Sequence, residues 1–174
     1  ITIPESAKST STTTDIERVN KAKGANTYLN LTISTVDEND YMAHTLKVAC
    51  NATALDGWDN SDHPFRKSLE AKAPSITANA EKAIVSINTF NNNHETYVMP
   101  LQVKVGIDGR YRIRATDLSA ITKDFSVVLL EDRVTKKFID LTTANEYMFS
   151  AKVNDSRDRF VVHFSKLTNY APST

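Results

Sequence analysis

From Leu29 onward, apolar and polar residues alternate one for one, run after run, and that period constrains the chain more than any other feature. Successive side chains of a strand point to opposite faces, so period-two alternation builds half-buried strands and cannot line one face of a helix. Leu29, Leu31 and Ile33 alternate with Asn30, Thr32 and Ser34. Leu46, Val48 and Cys50 form a second face, and Ala83, Val85 and Ile87 a third. Leu101, Val103 and Val105 follow, then Tyr111, Ile113 and Ala115 set against Arg110, Arg112 and Arg114. Val127 to Leu130 is apolar on both faces and reads as a strand covered on both sides. Phe138 to Leu141, Tyr147 to Ala151, and Phe160, Val162 and Phe164 complete the series. Val, Ile and Thr supply 44 of 174 residues, a β-branched load that favours strands. Asp108-Gly109 suits a tight type I′ hairpin between the Val103 and Tyr111 strands. The expectation is an all-β fold: an antiparallel two-sheet β-sandwich, jelly-roll-like, of nine or ten strands, with a closed barrel as the alternative.

The strands do not occupy the whole length. Residues 1–25 are polar, contain a Ser/Thr run from Ser9 to Thr14, and read as a linker or arm, with a short helical turn over Asp15 to Lys23. Residues 26–166 form the β domain, and residues 167–174 a polar C-terminal tail. The 21 basic and 21 acidic residues cancel, which argues against a nucleic-acid partner. Four glycines are too few for a glycine-rich phosphate loop. With one cysteine, Cys50, no intrachain disulfide forms. No apolar run reaches the length of a transmembrane helix. A start at Ile1 fits an excised domain or a processed product.

The densest candidate site is Leu55-Asp56-Gly57-Trp58-Asp59-Asn60-Ser61-Asp62-His63-Pro64. Asp56, Asp59 and Asp62 recur every three residues, and hard oxygen ligands on a loop are what Ca²⁺ takes. The preferred reading is a loop whose carboxylates cap its own turns; no cofactor is required, and calcium is the alternative. Trp58, with Tyr97 or Tyr111, is the aromatic set that would stack on a sugar ring, against the plainer reading of rings that cover the core. Cys50 is in phase with Leu46 and Val48, so an inert inward thiol is expected. His44, His63, His94 and His163 show no metal-ligand spacing, and no Gly-x-Ser-x-Gly elbow occurs. Glu131 and Asp132, as strand neighbours, point to opposite faces and would not flank one bond. The Arg110, Arg112, Arg114 row reads as an outer face paired with acids of the next strand, in preference to a grip on an anionic ligand.

A set of short motifs, in order, carries a family resemblance. They are Asp56-Gly57-Trp58-Asp59, Ala83-Ile84-Val85-Ser86-Ile87, Met99-Pro100-Leu101-Gln102-Val103, and Gly109-Arg110-Tyr111-Arg112-Ile113. Val128-Leu129-Leu130-Glu131-Asp132, Asp140-Leu141 and Tyr147-Met148-Phe149 follow, and the closing Asp158-Arg159-Phe160-Val161-Val162-His163-Phe164 is the most specific. The set, spanning about Thr27 to Phe164, resembles the β-sandwich domain that precedes the type IX secretion C-terminal sorting domain in surface and secreted proteins of Bacteroidota. Residues 63–80 show no matching pattern, and the sorting domain itself is absent from the sequence. The resemblance implies a secreted or cell-surface module without catalysis, serving adhesion, spacing or presentation of the sorting signal to the secretion machinery. Its partners would be a glycan or another surface protein. A carbohydrate-binding module, calcium-assisted through the Asp56 loop, is the second reading, and a hydrolase domain the third. Asp132 and Asp158-Arg159, where strands meet loops, are expected to form ion pairs that fix loop ends.

Overall fold

A computed structural model describes residues 28–37 and 41–172. The expected linker and helical turn of residues 1–25 lie outside the described residues. Among the described residues eleven strands form: β1 (Leu29–Thr35), β2 (Ala43–Asn51), β3 (His63–Pro64), β4 (Ser75–Ala80), β5 (Ala83–Asn91), β6 (Thr96–Lys104), β7 (Gly109–Thr116), β8 (Val127–Asp132), β9 (Lys137–Asp140), β10 (Glu146–Ala151) and β11 (Phe160–Ser165). One turn of helix, α1 (Ser119–Thr122), lies between β7 and β8. The protein is all-β. Among the described residues, no helix is long and apolar enough to cross a membrane.

Two expectations about the sheet need correction. Its pairing is mixed, because β2 and β5 run parallel, with Val48 opposite Asn88 and Cys50 opposite Phe90. The ladders also form one continuous path, β10-β7-β1-β2-β5-β4-β6-β11-β8-β9, with β3 on the side of β5, where two separate sheets were expected. The path is nearly closed into a barrel. The Asp108-Gly109 hairpin does not form: β6 pairs with β11 and β4, while β7 pairs with β1 and β10. No described glycine has a positive φ, which a type I′ turn demands of both central residues. The segment from Val105 to Asp108 instead carries the chain from one part of the sheet to another, with Val105 buried.

Local chemistry explains where ladders change hands. β6 pairs with β11 through Pro100 and with β4 from Leu101 onward. Proline has no N–H to give a ladder, so it suits the point where one partner gives way to the next. In β5 the inward positions are Val85, opposite Ala78, and then Asn88 and Phe90, opposite Val48 and Cys50. The odd spacing coincides with a register shift in the β3–β5 ladder, where His63 faces Ile87 and the next residue, Pro64, faces Val85, so Ser86 is the extra residue of a bulge. That bulge turns Ile87 out of the inward face on which the alternation placed it. β4 escaped the sequence reading because its inward residues, Ile76, Ala78 and Ala80, are mostly small and its neighbours are Ser, Thr and Asn.

One core fills the interior, drawing on Leu29, Ile33, Leu46, Ile76, Leu101, Ile113 and their in-phase neighbours. Its aromatic centre is Phe90, stacked on Tyr97 at 4.1 Å between centroids and touching Phe125 and Phe164. β11 is buried on both faces, including the outward His163 and Ser165.

The two ends of the sheet path, β10 and β9, share no ladder among the described residues. Side chains bridge between β10 and the β8–β9 hairpin instead. The Tyr147 hydroxyl on β10 donates to Asp132 Oδ2 on β8 at 2.9 Å and lies 3.3 Å from Thr135 Oγ1 in the β8–β9 turn.

Candidate functional site

The loop from Ala52 to Asp62 is built by its own carboxylates. Asp59 accepts from the amides of Leu55 and Ser61 at 2.9 and 2.6 Å, and those bonds hold its carboxyl below the usual range. Asp62 is buried; its Oδ2 accepts from the Asp59 amide at 3.0 Å and its Oδ1 from the Thr89 amide of β5 at 2.8 Å. Burial pushes the Asp62 carboxyl up against the pull of those amides. Asp56 accepts from the Asn91 amide at 3.2 Å and meets His94 Nε2 at 2.7 Å. Each of the six carboxylate oxygens thus faces a nitrogen partner of the protein. Among the described residues, no group of three or more His, Cys, Asp or Glu is arranged to hold a metal ion.

The aromatic candidates separate. Trp58 is 41% exposed on this loop. Tyr97 lies between the Phe90 ring and that of His94, 5.8 Å away, and burial pushes its phenol up to about 12, so it keeps its proton. Tyr111 is wholly buried on β7, its hydroxyl donating to the Ile107 carbonyl at 2.7 Å, so its ring faces the core. Asp56, His94 and Tyr97 therefore form a patch beside the loop that carries Trp58, and Tyr111 stands apart from it.

A second cluster lies at the bridge between β10 and β8. Arg159 grips Asp132 with two bonds, Nε to Oδ1 at 2.8 Å and Nη2 to Oδ2 at 2.7 Å. Its Nη1 donates to the Ser150 carbonyl at 2.8 Å, and the guanidinium lies over the Phe149 and Phe160 rings. The Tyr147 hydroxyl and the Val134 amide occupy the remaining reach of Asp132. Burial alone would raise the Asp132 carboxyl, but the Arg159 bonds, the Tyr147 hydroxyl and the guanidinium charge outweigh it and hold the group at about 2. The expected ion pair is thus Asp132 with Arg159, the fork geometry that makes Arg–carboxylate pairs strong.

On the other face of the same strand, Glu131 Oε2 meets His163 Nε2 at 2.8 Å, and Tyr170 Oη lies 3.1 Å from His163 Nδ1. Both ring nitrogens of this buried histidine are engaged, which leaves neither open to a substrate. Two of the three arginines of the row meet an acid of the next strand: Arg114 bonds Glu146 of β10 at 2.8 Å and Arg112 lies 3.8 Å from the same oxygen, while Arg110 faces Met148 Sδ at 3.9 Å.

The Cys50 thiol lies 3.5 Å from Asp124 Oδ2. Burial first, then the Asp124 charge, push it up to about 12. The thiolate is the nucleophile, so iodoacetamide is expected to label native Cys50 at least a hundredfold more slowly than the urea-unfolded chain at pH 8. Equal rates in the two states would contradict this environment.

His94 is the residue sequence reasoning missed in the Asp56 patch. It lies 38 positions from Asp56 and falls in no motif, so only the fold brings the pair together. The chain matches no protein-family profile, no curated protein and no solved structure.

Proposed function

We propose that the chain is a noncatalytic β module of a secreted or cell-surface protein, serving adhesion, spacing or presentation of a C-terminal sorting signal. The observation that supports this reading is the Asp132–Arg159–Tyr147 clamp. Asp132, Arg159 and Tyr147 are turned inward, where they tie β8, β10 and the start of β11 together. Such an arrangement favours a stiff body over a reaction centre. β6, shared by two ladders, is the kind of strand that turns the corner of a flattened barrel, and in that sense the body is sandwich-like. Placed ahead of a type IX sorting domain in a Bacteroidota host, the module is expected to appear on the cell surface folded and resistant to added protease. Retention in the periplasm would count against the surface role. Ester, peptide or polysaccharide turnover that co-purifies with the chain and disappears in one His or Asp variant would overturn the noncatalytic reading.

Exposed Trp58 favours a second reading, a carbohydrate-binding module. On a glycan array, binding abolished by Trp58→Ala supports it; an array blank with and without calcium removes it.

A further inference from the structure

The β3–β4 loop, Phe65 to Pro74, encloses a cavity of about 310 Å³ against β4 and β6. Three cations line it: Lys67 from the loop, Lys104 from the end of β6, and Arg157 from the turn before β11. They come from three distant parts of the chain, and among the described residues none of them has an ion-pair partner, in a chain whose charges balance overall. The one acid on the lining, Glu70, turns its Oε1 to the Lys72 amide of its own loop at 2.9 Å. Like charges gathered around one concavity repel one another, and an anion in the cavity relieves that repulsion.

The remaining wall suits a small organic body. The Phe65 ring packs on the edge of His44, 5.2 Å between centroids, and with Pro74 and Ile84 gives an apolar side. His44 Nδ1 accepts from the Ile76 amide at 3.3 Å, which leaves Nε2–H as the donor the ring has available. Burial holds the ring's pKa below its ordinary value.

The loop is set before any ligand arrives. The Phe65 amide donates to the Ile84 carbonyl at 2.8 Å, Glu70 N to Ser68 Oγ at 3.1 Å, and Ala73 N to the Glu70 carbonyl at 3.2 Å. Its far side rests directly on Gly106, where a methyl group would strike the Ala71 carbonyl and come within 2.6 Å of Lys72 Cα. Only glycine permits that approach. A preformed concave wall with a few polar groups is how small-ligand sites are built.

We propose that this cavity binds a small ligand carrying a compact oxyanion, a carboxylate or a phosphate, with the anion on Lys67, Lys104 and Arg157 and an apolar ring face on Phe65. The site shares no lining residue with the Trp58 loop or the Asp132 clamp, so it stands or falls apart from the function proposed above.

The test is an NMR titration of the full chain with glucuronate, glucose 6-phosphate and glucose. The two anions, or one of them, are expected to shift amides of Phe65 to Ser75 and of Lys104, while glucose leaves them in place. Response to glucuronate alone names the carboxylate as the natural chemistry; response to glucose 6-phosphate alone names the phosphate. Lys67→Ala and Lys104→Ala are exposed substitutions that leave the fold intact, and each is expected to weaken binding about tenfold. Silence toward both anions, an equal response to glucose, or binding unchanged in the Lys67→Ala/Lys104→Ala double variant overturns the proposal.

Discussion

Arg159→Ala is expected to destabilise the fold by about 3–5 kcal/mol, the range for removing one member of a buried ion pair. For a domain of this size that is a loss of roughly 10–20 °C in Tm. The reason is what remains behind. Asp132 is wholly buried, and without the guanidinium it keeps only the Tyr147 hydroxyl and turn amides as donors. Its charge would then sit in the interior uncompensated, and the Ser150 carbonyl would lose its donor as well. The double variant Asp132→Asn/Arg159→Met should lose clearly less than the Asp132→Asn and Arg159→Met single losses summed, because it leaves no orphan charge. Thermal melts of the four proteins measure this, and additive losses would show that the clamp is not a coupled unit.

The same clamp sets an acid limit. The Asp132 carboxyl titrates at about 2 in the folded chain, below the ordinary 3.8. A depressed folded-state pKa gives stability that is full above the unfolded value and is lost as pH falls from about 4 to 2. The share at stake is about 2 kcal/mol. Wild type should lose stability steeply across that window, and the Asp132→Asn/Arg159→Met variant less so.

Phe90→Ala is expected to cost a further range of about 3–5 kcal/mol, the toll of emptying a buried aromatic site. Phe90 is fully buried and touches Tyr97, Phe125 and Phe164, three rings from three separate segments. None can close the gap alone, because each is fixed by its own backbone. Tyr97 would lose the ring it stacks on, and the His94 ring that lies on Tyr97 would lose its support. Urea unfolding should show the lower midpoint, with NMR shifts at His94 and Asp56 in the native state. Phe90→Leu is expected to recover most of the stability and little of the stacking. A loss under about 1 kcal/mol for Phe90→Ala would mean the core collapses onto the site.

Period two was enough to reveal nine of the strands and the identity of most core residues, because a half-buried strand writes its pleat into its own letters. It did not reveal partner choice. A parallel pairing of β2 with β5 and an antiparallel one leave the same alternation, so the mixed sheet was invisible. The bulge in β5 misled the reading at Ile87, since an inserted residue shifts phase without any letter that announces it. β4 was missed because Ala78 and Ala80 are small enough to pass for loop. At the Asp56 loop the residue types were visible but not their direction: Asp62 reaches inward to Thr89, and His94 arrives from the turn between β5 and β6. Tyr111, in phase with Ile113 and Ala115, carried its own warning that it belonged to the core. The cation-lined cavity had no local signal at all, since Lys67, Lys104 and Arg157 meet only in three dimensions.

The order of the strands also sets a pace. β1 is flanked by β2, its neighbour in sequence, and by β7, where Asn30 lies opposite Thr116. β2 and β5 can align only after the whole β3–β4 segment has crossed over. Few of these ladders can form by local zippering, so loop-closure entropy must be met before most pairings are rewarded. Such a topology folds in milliseconds to seconds, far from the microseconds of a helical bundle. Until β6 finds both β11 and β4, the half-built sheet exposes two unpaired edges to any neighbour, so refolding yield is expected to fall as chain concentration rises.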